Sequence, residues 1–176
     1  MRLCAPRCLA SLSCSVLADA WVFGYTDFGE SHGTLSRPVL RAALRVAVPG
    51  RRSSFTALID TGGPLTVVSE EVIASAGDAA VATGQTLPIR LGGRAFEARL
   101  FELALQAIPP VGAHDPRRSW HGLAGVLDPW PHQGTSVILG QIGFMENFTV
   151  TFGPDHFAVE PGNVFGKRFP PPIDSV

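Results

Sequence analysis

Ala57-Leu58-Ile59-Asp60-Thr61-Gly62 is the stretch on which the reading of this chain turns. Three consecutive apolar residues read as the end of a buried strand, and the glycine marks a sharp turn directly behind it. A carboxylate at that point stands at the mouth of a rigid element, which is how an acid catalyst is presented. A second apolar run, Val137-Ile138-Leu139, also stops on a glycine, Gly140, and strand-like sequence resumes after Gly143-Phe144.

Working outward, Leu40, Ala42, Leu44, Val46 and Val48 alternate with Arg41, Ala43, Arg45 and Ala47, a period of two that predicts one half-buried strand. Pro49-Gly50-Arg51-Arg52 turns it, and Ser54 to Ile59 returns as its partner, so Asp60 sits at the end of a hairpin. Trp21 to Gly29 predicts an opening strand, and Glu30 to Ser36 a polar connection. Beyond Asp60, Leu65 to Val68 is rich in β-formers, and Ser69 before Glu70 and Glu71 predicts an N-capped short helix that Gly77 ends. Leu87 to Leu91, Gly92-Gly93 and Arg94 to Leu105 predict a glycine-tipped hairpin with Phe96, Ala98 and Leu100 on one face; the alternation slips at Phe101, which predicts a bulge there. Prolines interrupt residues 109–136, where Gly122 to Leu127 reads as a short strand, and Phe148 to Phe152 pairs back with Phe157 to Glu160 across a Gly153-Pro154-Asp155 turn.

Composition agrees with many short strands. The chain has 176 residues, 19 glycines and 15 prolines, 45% hydrophobic and 16% charged residues, and a net charge of −1. That length suits one domain of the usual size, roughly 100–200 residues. The charge balance offers no basic surface for nucleic acid and no acidic tail. All three cysteines, Cys4, Cys8 and Cys14, fall at the extreme N-terminus, where they staple nothing in the body of the protein. Their spacing and the scattered His32, His114, His121, His132 and His156 match no zinc pattern, so no metal and no cofactor is expected.

Residues 1–20 form a leader or extension, with Arg2, a modest apolar stretch and Ala18-Asp19-Ala20 imitating a secretory signal. A cytoplasmic location is expected, with secretion or the periplasm the alternative should that segment act as a signal. No run approaches the roughly 20 apolar residues that span a membrane. The folded domain is expected over residues 21–161, and residues 162–176, with Pro170-Pro171-Pro172, as a proline-rich tail.

The order of hairpin, Asp60-Thr61-Gly62, short helix, glycine-tipped hairpin, Ile138-Leu139-Gly140 and final hairpin resembles the retropepsin-like aspartic proteases, from about Trp21 to Pro161. The resemblance implies an all-β, closed-barrel-like, single-lobe acid protease fold with one short helix, working as a two-fold homodimer on a peptide or protein substrate. Its chemistry asks for two close carboxylates sharing one proton, one acting as base toward water and the other as acid toward the amide. One Asp-Thr-Gly is present and no second, so the partner carboxylate is expected from another copy of the chain. By the same resemblance Asp60 is catalytic, Thr61 braces the turn across the two-fold axis, and Gly62 leaves room beside the carboxylate. Gly92 and Gly93 tip a flap over the substrate, and Ile138, Leu139 and Gly140 support the loop from beneath.

One position departs from the family. Gly63, followed by Pro64, stands where alanine or serine is usual. A serine hydroxyl there donates to the carboxylate and favours its charged form; glycine does not, which predicts an altered pH dependence. The rival readings are an inactive dimeric peptide-binding or scaffold module of the same fold, and an unrelated β-domain in which Asp-Thr-Gly is a plain turn. Asp115 and Asp128 precede prolines as turn residues, Trp120, Trp130 and Phe144 read as core or interface, and no G-x-S-x-G elbow or phosphate loop occurs.

Overall fold

Six strands close into a ring. The computed structural model describes residues 20–31, 38–108 and 119–162, which form β1 (Trp21–Gly24), β2 (Thr26–Ser31), β3 (Pro38–Arg41), β4 (Ala43–Ala47), β5 (Ser54–Ile59), β6 (Thr66–Ser69), α1 (Glu70–Ala76), a 3₁₀ turn (Gly77–Ala79), β7 (Val81–Leu91), β8 (Arg94–Ile108), β9 (Ser119–Leu127), β10 (Val137–Leu139), β11 (Phe148–Phe152) and β12 (His156–Pro161). The large sheet runs β4-β5-β10-β6-β9-β8-β7, and an extra pairing of β4 with β8 joins its ends into a barrel that leaves β7 outside. The β5–β10 and β6–β9 pairs are parallel, and the other pairings of this sheet are antiparallel. A smaller antiparallel sheet, β1-β12-β11, joins the two ends of the domain, and β2 pairs with β3.

The all-β expectation with one short helix is met, and several boundaries differ from the sequence reading. The opening strand is two strands, β1 and β2, and the alternating run from Leu40 to Val48 is divided at Ala42 into β3 and β4. β4 is also buried on both faces except at Arg45, because Phe23, Gly24 and Thr26 stand beside its other side around a cavity of about 450 Å³. The bulge expected at Phe101 lies instead in the opposite strand. β7 spans Ala82 to Thr86 against only Phe101 to Arg99 of β8, and Gly84 takes up the surplus at a φ of +74°.

β8 itself keeps an unbroken register with β9. Its alternation slips because it serves two cores. Ala98 and Leu100 face a cluster with Leu65, Val67, Leu127 and Ile138, whereas Leu103, Leu105 and Ala107, pointing the other way, join the main cluster. The main cluster is closed by an aromatic stack in which Trp120, Phe144 and Phe148 lie 5.1–5.3 Å apart and Trp21 lies 5.6 Å from Phe148, tying the small sheet to the barrel. Trp120 and Phe144 are core residues, and Trp130 packs half-buried against the second cluster.

Helix α1 lies where Ser69, Glu70, Glu71 and Gly77 predict it, with a different N-terminal device. Ser69 is also the last residue of β6, its N–H committed to the Ser136 carbonyl, and its buried hydroxyl makes no capping bond. Instead the Glu70 carboxylate pairs with Arg99 at one end, and Arg51 donates to the Ala76 carbonyl at the other. Apart from Ala20 and Gly162, the expected leader and tail, with the three cysteines, lie outside the described residues, as do residues 32–37, which take in most of the expected polar connection, and residues 109–118 at the start of the 109–136 segment. Among the described residues no helix is long and apolar enough to cross a membrane.

Candidate active site

The parallel pairing of β5 and β10 brings the two glycine-terminated runs side by side, with Leu139 opposite Ile59. From that level their loops lace together. Asp60 N–H donates to the Leu139 carbonyl at 3.0 Å, Gln141 N–H to Gly63 at 2.8 Å, Ile142 N–H to Pro64 at 3.0 Å, and Thr66 N–H back to Ile142 at 2.8 Å. The Gln141 side chain donates to the Thr61 carbonyl at 3.3 Å. Thr66, only 1% exposed, accepts the Gly140 N–H on its hydroxyl oxygen at 3.1 Å, which satisfies that buried backbone donor.

Gly140 is at this crossing because nothing larger fits. A Cβ there would stand 2.4 Å from the Leu65 carbonyl oxygen and 2.8 Å from that of Gly63. Ile138 and Leu139 are buried on either side of the same strand, Ile138 in the second cluster and Leu139 in the main one. Of the three residues expected to support the loop, Leu139 and Gly140 touch it directly, Leu139 through its carbonyl and Gly140 through the backbone it packs against.

The Asp60 carboxylate is half-buried and oriented by its own turn. Gly62 N–H donates to Asp60 Oδ1 at 3.0 Å and Gly63 N–H to the Asp60 carbonyl at 3.1 Å, a side-chain-closed turn that holds the carboxylate over the loop. Thr61 and Gly62 are exposed on the surface of the protomer. A Cβ at Gly63 would lie 3.3 Å from Asp60 Oδ2, so glycine leaves that oxygen's flank open.

Two cavities meet at Asp60. One of about 540 Å³ is lined by Asp60, Thr61, Tyr25, Arg41, His132 and Phe152 together with apolar residues of β5 and β10. The other, about 120 Å³, runs past Gly62, Gly63 and Pro64 to Ile89 and Arg90. Leu91 and Gly92 at the tip of the β7–β8 hairpin line both, as does Ile138; Gly93 lines neither. Gly92 and Gly93 have φ of +56° and +79°, the two left-handed positions of a tight hairpin turn. Among the described residues Asp60 is the sole carboxylate in either lining.

Four of the larger cavity's polar or aromatic residues carried no signal in the sequence. Tyr25, whose hydroxyl donates to the Gly153 carbonyl at 2.7 Å, Arg41, His132 and Phe152 are brought there by strand pairings far apart along the chain. Among the described residues no group of three or more His, Cys, Asp or Glu side chains is placed to hold a metal ion. A scan against models of known protein families finds no match for this chain, and neither does a search of the curated proteins.

Proposed function

We propose that this chain is a retropepsin-like aspartic endopeptidase, active as a two-fold homodimer in which the Asp60 carboxylates of two copies face one another. The observation that carries the reading is the single carboxylate fixed at the crossing of two laced loops, at the junction of two cavities and beneath a glycine-tipped hairpin. Two such carboxylates at a dimer axis hold one proton between them, because like charges a few ångströms apart do not both ionise readily. The charged partner takes a proton from water as the water attacks the peptide carbonyl. The protonated partner stabilises the oxygen that develops charge, and a proton then passes to the departing amide nitrogen. An extended peptide lies across both cavities and pairs with the hairpin tip as an added strand.

The test is cleavage of a peptide library from acid to neutral pH. Asp60→Asn abolishes hydrolysis and keeps peptide binding, and the unsubstituted protein gives a rate that falls on both sides of an optimum, as a pair sharing one proton requires. A wild-type dimer that cleaves nothing at any pH favours the second reading, a peptide-binding scaffold. That alternative draws on Gly63, which leaves the outer carboxylate oxygen without a side chain to set it.

A further inference from the structure

We propose that Gln141 is a positioning residue for Asp60, its side-chain amide holding the peptide plane between Thr61 and Gly62 that aims the carboxylate. The proposal rests on the reading of Asp60 as the catalytic acid. That plane has a partner at each end. Its carbonyl, on Thr61, accepts from Gln141 Nε2 at 3.3 Å, and its N–H, on Gly62, donates to Asp60 Oδ1 at 3.0 Å. Gln141 and the carboxylate are therefore joined through one rigid peptide unit. Hydrogen bonds in such a chain polarise one another, so an amide on the carbonyl strengthens donation from the N–H.

Backbone sterics do little to hold the plane. It is the middle peptide of the turn that Gly63 N–H closes onto the Asp60 carbonyl. Type I and type II turns differ by turning this plane over, and a glycine in the third position, as Gly62 is here, admits both. Turned over, the plane presents a carbonyl to Oδ1 in place of an N–H. Gly63 offers no hydroxyl as a second anchor, and among the described residues the Gly62 N–H is the carboxylate's one hydrogen-bond donor. Gln141 is suited to the task because its own backbone is gripped. Its N–H donates to the Gly63 carbonyl at 2.8 Å and its carbonyl accepts from the Glu146 N–H at 3.2 Å, so only side-chain torsions are ordered when the amide bonds to Thr61.

The experiment compares the full chain in three forms: unsubstituted, Gln141→Met, which keeps the side-chain length and removes the donor, and Gln141→Lys, which restores a donor of similar reach. Gln141 is exposed, so neither change opens the core. In amide proton and nitrogen correlation spectra the Gly62 proton moves upfield in the methionine form and exchanges faster with solvent, and lysine returns it toward its original place. Peptide cleavage is measured at protein concentrations where specific activity no longer rises. There kcat is about tenfold lower in the methionine form with KM changed by less than about twofold, the denaturant midpoint is unmoved, and lysine recovers most of kcat. A Gly62 amide that stays in place in the methionine form, an unchanged kcat, an effect on KM alone, or a lysine form that behaves as the methionine one overturns the proposal. Should the methionine form not fold, Gln141→Ala serves as the variant without a donor. If the unsubstituted protein cleaves nothing, the protease reading falls and the Gly62 amide alone decides whether Gln141 holds the plane. If it cleaves with the same kcat in every form, the role of Gln141 falls alone.

Discussion

A methyl group at position 140 would press to 2.4 Å from the Leu65 carbonyl oxygen, a backbone atom that cannot swing aside. Gly140→Ala is therefore expected to cost about 1–3 kcal/mol, the usual penalty for overfilling a packed site, and to lower activity more than stability because the displaced backbone carries Asp60. Denaturant titration beside a cleavage assay separates the two effects. Thr66→Val keeps the volume and removes the oxygen that accepts the Gly140 N–H at 3.1 Å. Leaving that buried donor unsatisfied costs about 1–3 kcal/mol, read as a lower midpoint with an unchanged slope. Ile138, Leu139 and Gly140 were singled out as supports only through the family resemblance. Thr66 was not, since its hydroxyl acts across 74 positions of sequence and nothing local marks it.

At the level of elements, the N-terminus of α1 behaves unlike its sequence. A serine in the capping position is normally worth about 1 kcal/mol, but the Ser69 hydroxyl is buried and makes no bond. Ser69→Ala is expected to be neutral or slightly stabilising in a thermal melt, and a loss of more than about 1 kcal/mol would mean that the hydroxyl caps the helix after all. The hairpin tip is the opposite case: Gly92 sits at a φ of +56° with open space around it, so Gly92→Ala meets backbone strain of about 1–2 kcal/mol and no clash. That change should weaken substrate turnover while leaving the barrel intact. β11 was readable from alternation, and β5 from its apolar end and the turn before it. The first half of β7 was missed because it lies at the sheet edge with nearly every residue exposed, and a strand with no buried face has no period to read. The slip in β8 was visible but misassigned, since a strand that changes cores and a strand that bulges look alike in one dimension.

For the molecule as a whole, the decisive number is copies per site. If each site needs an Asp60 from both chains, exchanging equal amounts of wild-type and Asp60→Asn protein leaves about a quarter of the dimers with two aspartates, and total activity falls by about half relative to the unmixed samples. Activity unaffected by mixing would sink the shared site. The barrel's own architecture adds a consequence in time. Asp60 takes its bearings from Leu139 and Gln141, and β5 has no parallel neighbour until β10 exists. Contacts so distant along the chain close late and slowly during folding. A polypeptide emerging from the ribosome thus carries its acid from residue 60 until residue 139 is made without the brace that aims it, and on the proposed reading a protease stays harmless to its own nascent chain over that stretch.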